Sequence, residues 1–308
     1  MKRVWKGLSI MAGVLGAADV LAVGAFFNLA AGRRCVFLRK KKEPELKRTE
    51  GVCWMEGMNP EKAVIESRDG LKLKGYYLEA ENPKRIAALF HGWRGSWGHD
   101  FGPCIRWLYE EGTSLLLVDQ RAQGESEGRY MGFGVLERED CHAWMDWLIK
   151  RNQGGLPVYL YGVSMGAATV LMAAGEELSG DVKGVIADCG FTSPYEMVYR
   201  FGKLNFKLTE HPVMDQLNWL FKRRAGYGLK EYSTLEAMGH CRVPVLFIHG
   251  KADTFVPYEM TVRNYEACTA QKKLLLVEGA DHCMSFLKDE EAYKEALKEL
   301  FQETAGGI

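Results

Sequence analysis

The sequence carries no excess of either charge, because 40 basic and 40 acidic side chains cancel over its 308 residues. Without a basic stripe there is no electrostatic footprint for nucleic acid. Its eight cysteines, Cys35, Cys53, Cys104, Cys141, Cys189, Cys241, Cys268 and Cys283, never form a C-x-x-C pair. The spacings of zinc ribbons and thioredoxin-type redox centres are therefore missing. Several of these thiols lie in apolar runs, where cysteine behaves as a small hydrophobe, and this usage fits a reducing compartment. No H-x-x-x-H pair, phosphate loop or dinucleotide fingerprint occurs, so no metal or cofactor is expected. Internal repeats and low-complexity tracts are absent too.

What remains is ordinary globular composition, 47% apolar and 26% charged, in a chain long enough to bury a full core. The exception is the N-terminus. Gly7 to Ala31 is apolar apart from Ser9, Asp19 and Asn28, and is long enough to cross a bilayer. It reads as an uncleaved membrane anchor over residues 1–32, although Asp19 at mid-stretch costs ~2.5–3.5 kcal/mol on insertion scales. Eight Lys/Arg follow it against three before it, which under the positive-inside rule places the main domain in the cytoplasm. The alternatives are an external domain or a helix lying on the membrane surface. Residues 33–60 read as a basic and polar linker.

From residue 61 the pattern is that of alternating strands and helices. Two alternating runs split by Asp69-Gly70 signal a leading hairpin. Buried strands are expected at Arg85–Phe90, Ser114–Val118, Val158–Tyr161, Val182–Ala187, Val243–Ile248 and Lys273–Val277. Helices are expected at Phe101–Glu110, Leu136–Arg151, from Met165 onward, at Tyr258–Ala267 and at Phe286–Phe301. This predicts a doubly wound, mostly parallel sheet with an antiparallel edge. Residues 191–241 mix aromatic and basic side chains without a strand and read as a small helical cap.

The most informative stretch is Gly162-Val163-Ser164-Met165-Gly166, a G-x-S-x-G between a strand and a helix. In this motif a strained turn exposes the serine hydroxyl at a helix N-terminus, and the glycines let strand and helix approach closely. A serine hydroxyl is a weak nucleophile, so it needs a histidine base and a carboxylate that fixes the base's tautomer. His282 follows the last strand and Asp253 follows the strand before it, so all three fall at the strand C-terminal edge where parallel sheets bind ligands. Asp188, just after the Val182 strand, is the rival acid. His91 and His249 precede glycines at strand ends and read as structural. Asp119 and Arg121 read as braces of a nearby loop.

Together His91-Gly92-Trp93, DQRAQGES from Asp119, GVSMG, HGKADTFVP and GADH make residues 60 to 305 resemble the α/β-hydrolase superfamily of serine hydrolases. The apolar N-terminus adds a likeness to membrane-anchored bacterial members with short caps. One departure is Ala122, where the family commonly has glycine. The resemblance implies an oxyanion hole built from the main-chain N–H groups of Met165 and Trp93. It implies a serine hydrolase forming an acyl-enzyme on Ser164, His282 and Asp253, with carboxylic esters as the default substrate. Small acyl compounds, acyl lipids or acylated proteins are the expected partners, with peptides as the alternative, and a non-catalytic membrane-tethered module as the reading from a different class. The cap aromatics Tyr195, Phe201 and Trp219 are candidates for an acyl pocket.

Overall fold

The computed structural model describes residues 21–33, 50–153 and 155–305. Its centre is an 8-stranded sheet in the order β1-β2-β4-β3-β5-β6-β7-β8. The strands are β1 (Glu61–Glu66), β2 (Lys72–Leu78), β3 (Arg85–Phe90), β4 (Thr113–Val118), β5 (Val158–Val163), β6 (Val182–Asp188), β7 (Val245–Gly250) and β8 (Lys272–Val277). β1 pairs with β2, and β2 with β4, antiparallel; every pairing from β4 through to β8 is parallel. The leading hairpin turns where Asp69-Gly70 said it would. There Gly70 adopts φ 81° and the Ser67 hydroxyl accepts the Leu71 N–H at 2.8 Å.

The parallel strands are long apolar runs because helices cover both faces. Along β5, Val158 and Leu160 join the layer containing Trp144, Leu148 and Leu171. The intervening Tyr159, Tyr161 and Val163 join Phe101, Leu297 and Phe301 on the other side. Between β6 and β7 lie Pro194–Phe206, Val213–Leu220, a π-helical turn Phe221–Ala225 and Thr234–His240, with no strand.

Three details depart from the sequence reading. The closing helix breaks into Ser285–Lys288 and Glu290–Ala305, because the Asp289 carboxylate caps the second piece by accepting the Ala292 N–H at 3.1 Å. Part of the expected linker is a helix, Glu50–Gly57, with Met55 buried and Trp54 edge-on to Tyr109 at 5.1 Å. Gly51 permits that docking, since a Cβ there would lie 1.8 Å from the Gly102 carbonyl oxygen.

The third concerns the apolar N-terminal stretch. Residues 21–31 are helical and packed on the protein, with Val23, Phe26, Phe27, Leu29, Ala30 and Ala31 buried. Phe26 meets Phe201 and Phe206, and Phe27 meets Tyr130 and Phe221. The carbonyls at the end of this helix would otherwise lack partners. Arg94 donates to the Leu29 and Gly32 oxygens at 2.9 and 2.7 Å, and the Trp93 indole donates to the Ala30 oxygen at 2.8 Å. The second half of the expected anchor therefore faces protein. No helix among the described residues is long and apolar enough to cross a membrane, and residues 1–20 lie outside the described residues.

Candidate active site

β5 ends at Val163 and the next helix starts at Met165, so Ser164 carries the whole reversal of direction. It does so at φ 56°, ψ −114°, a conformation an L-residue holds only when its surroundings enforce it. The flanking glycines are steric necessities. A Cβ at Gly162 would lie 2.1 Å from the Gly166 oxygen, and one at Gly166 would lie 1.8 Å from the Phe90 oxygen.

The loop after β8 brings the His282 imidazole across to this turn, with Nε2 at 2.9 Å from Ser164 Oγ. Its Nδ1 lies 2.6 Å from Asp253 Oδ2, on the loop after β7. The carboxylate is itself held: Oδ1 accepts the Phe255 and Val256 N–H groups at 2.9 and 2.8 Å, and Oδ2 lies 3.0 Å from His249 Nε2. Burial alone would raise the pKa of Asp253, but its hydrogen bonds to His249 and His282 outweigh this and hold it far below the usual carboxylate range. For His282, burial disfavours the imidazolium. The Cys189 sulfur and the Asp253 carboxylate outweigh that and raise its pKa above the ordinary histidine value. With Nδ1 donating to Asp253, Nε2 is left as the acceptor facing the serine hydroxyl, the arrangement a general base needs.

Asp188, the rival acid, is not in this chain of contacts. It is buried below the turn, where Tyr293 and Ser285 donate to it at 2.9 and 3.3 Å. Burial pushes its carboxyl up to about 6.

Ser164 stands between two unlike spaces. On one side is a narrow apolar slot walled by Ala30, Trp93, Phe133, Phe191, Met197, Val198, Phe201 and Phe255. On the other is a wider, more polar cleft, to which Arg94, Ser96, His99, Asp100 and His282 contribute. The loop between them is pinned, since Asp100 Oδ2 accepts the Gly92 N–H at 2.6 Å. This places Trp93 beside the serine. Met165 is the first residue of its helix, so its N–H has no intrahelical acceptor.

Comparison with known proteins agrees with this architecture. Residues 81–226 match the family model described as Serine aminopeptidase, S33 (Hydrolase_4). The Pyrococcus furiosus esterase Pf2001 superposes with a TM-score of 0.67 at 23% identity, covering 81% of this chain and 93% of that one. The chain has the α/β-hydrolase fold. It is also 28% identical over 288 residues to the uncharacterized protein YqkD of Bacillus subtilis (strain 168), covering 91% of this chain and 92% of that protein. The lysophosphatidylserine lipase ABHD12 of Danio rerio is 26% identical over 210 residues, which span 65% of this chain and 51% of that protein.

Within this fold the structure brings Ser164, His282 and Asp253 into contact and sets Trp93 and Met165 beside the serine. Of the proposed pocket aromatics, Phe201 lines the slot but Tyr195 and Trp219 do not. The Tyr195 hydroxyl turns away to donate to Glu210 at 3.1 Å, and Trp219 is 62% exposed on the outside of the cap. Phe201 meets the serine side because its helix also packs on Phe26 and Trp93. Sequence reasoning missed Ala30, Asp100 and the second contact of His249. The HGKAD spacing was a signal for the last of these, because a histidine and an aspartate four apart across a tight turn can meet. Ala122 sits at φ 59°, so it adopts the left-handed backbone of the glycine it replaces, at a cost of about 1 kcal/mol.

Proposed function

We propose that the chain is a serine hydrolase of carboxylic esters whose acyl part is apolar. The observation that carries this reading is the unbroken contact chain Ser164–His282–Asp253, at 2.9 and 2.6 Å, at the mouth of an apolar slot. Ser164 Oγ attacks the acyl carbonyl while His282 Nε2 takes its proton. The oxyanion that forms is held by the Trp93 and Met165 N–H groups. His282 then returns the proton to the leaving alcohol and activates water to cleave the acyl-enzyme. Asp253 keeps the imidazole in the required tautomer and stabilises its cation. Acyl transfer of this kind requires no cofactor. The acyl chain lies in the slot, and the alcohol occupies the polar cleft beside Arg94 and His99.

The lipase and esterase relatives support esters, and acyl lipids among them. The membrane anchor expected over residues 1–32, of which 1–20 lie outside the described residues, would set the site near a membrane with the hydrolase domain on the cytoplasmic side. The family model's peptidase description favours aminoacyl substrates as the second reading. Hydrolysis of a matched panel of p-nitrophenyl esters, thioesters and aminoacyl arylamides separates the two. We expect medium-chain esters to be cleaved fastest and Ser164→Ala to remove the activity. Arylamides cleaved faster than every ester would instead support the peptidase, and no turnover of any of them would support a non-catalytic module.

A further inference from the structure

Two thiols flank the base, and the proposed chemistry uses neither. Cys189 follows β6 directly and is buried; Cys283 follows His282 and is partly exposed. Their sulfurs lie 3.6 Å apart. Both sulfurs and a ring nitrogen of His282 fall within 4.8 Å of one another. In a tetrahedral zinc site with Zn–S of about 2.3 Å and Zn–N of about 2.0–2.1 Å, neighbouring ligand atoms sit roughly 3.5–3.8 Å apart. The two sulfurs already have that spacing, and a His282 ring nitrogen lies within 4.8 Å of both.

The surroundings favour a cation. Asp100, Asp188 and Asp253 each act electrostatically on the Cys283 sulfur. Three carboxylates thus direct a negative field at the point where the two sulfurs meet. That field favours a divalent cation at the point where the sulfurs meet.

We infer that Cys189, Cys283 and His282 form an inhibitory site for a thiophilic divalent cation, zinc in the first instance. Each thiol releases its proton to solvent as its sulfur binds the metal, and water or the Ser164 oxygen fills the fourth position. The consequence follows from the imidazole. If Nε2 binds the ion, the lone pair that would take the serine proton is used. If Nδ1 binds it, Asp253 is displaced and Nε2 must carry the proton, so it cannot accept another. Either way the base is switched off and chelation restores it.

The inhibition rests on the hydrolase reading, whereas the site itself does not, so the test has two readouts. Metal-free, reduced protein is titrated with Co²⁺ and followed by absorption. Thiolate ligation gives a near-ultraviolet charge-transfer band, and a tetrahedral ion gives intense visible d–d bands. We expect both bands at one equivalent, weakened by Cys283→Ser or Cys189→Ser. Ester hydrolysis is then titrated with Zn²⁺ and reversed with EDTA. Each serine variant, referred to its own metal-free rate, is expected to need roughly tenfold more zinc or higher for half-inhibition. The absence of a thiolate band, or zinc inhibition unchanged in both variants, would overturn the site. Thiolate bands in a protein that hydrolyses no ester would uphold it and count against the proposed function instead.

Discussion

One oxygen of Asp253 serves two imidazoles: Oδ2 lies 2.6 Å from Nδ1 of His282 and 3.0 Å from Nε2 of His249. His249 Nε2 also lies 2.9 Å from the Val256 oxygen. Facing two acceptors, this nitrogen carries a proton and donates. His249 is fully buried, with its other nitrogen 2.6 Å from Thr261 Oγ1. The histidine therefore fixes the carboxylate, and the carboxylate fixes the base. Replacing it by His249→Ala removes a donor from a buried carboxylate and is expected to lower unfolding free energy by about 1.5–3 kcal/mol, measured by urea denaturation.

The same carboxylate sets the pH dependence. His282 must be neutral to accept the serine proton, and its pKa is raised. The rate should therefore increase with pH through an inflection above the ordinary histidine value of about 6.5. Asp253→Asn removes the stabilising charge, so the inflection should move down. The amide also favours the wrong tautomer, so kcat should fall by about 10⁴. The pH profile of kcat/KM for both proteins checks both. The stability contribution also rises with pH, over a lower range. Because Asp253 is depressed, its contribution is present above the unfolded value of about 3.9 and is lost as pH falls towards the folded one.

Ala30 should set acyl length. Its side chain lines the slot beside Phe201 and Val198, and its carbonyl is fixed by the Trp93 indole. Ala30→Phe adds a ring to a residue that lines the slot. The expected result is a fall of roughly tenfold or more in kcat/KM for long-chain esters, with acetate esters little changed. A p-nitrophenyl ester series measures it.

Arg121 braces the loop after β4. It grips Asp140 through two contacts of 2.6 Å and reaches Asp69 at 3.0 and 3.1 Å, and the side chains of Arg121 and Asp140 are each 4% exposed. Arg121→Ala would strand a buried carboxylate and should cost about 3–5 kcal/mol, whereas an apolar replacement of both partners should recover most of it. Chemical denaturation of the single and double variants tests this.

The sheet and the contact triad were legible because each rests on local signals. Apolar runs of strand length mark the sheet, and Ser164, Asp253 and His282 each sit in a short motif just past a strand. The cap was less legible. Whether Tyr195 or Phe201 faces the serine depends on how its helix rotates against Phe26 and Trp93, and sequence spacing does not determine that. The N-terminal helix misled for a related reason. Phe26, Phe27 and Ala30 look alike whether lipid or protein receives them, and the partners that decide it, Trp93 and Arg94, lie more than sixty residues away in sequence. Asp100 gave no signal, since its contact with the Gly92 N–H reaches back across a loop.

The most direct measurement is reaction of the full chain with a fluorophosphonate, followed by peptide mass spectrometry. A serine activated by His282 should be labelled at Ser164, with labelling lost in Ser164→Ala and strongly slowed in His282→Ala. A protein that takes up no label, or takes it up at a different residue, would contradict the account.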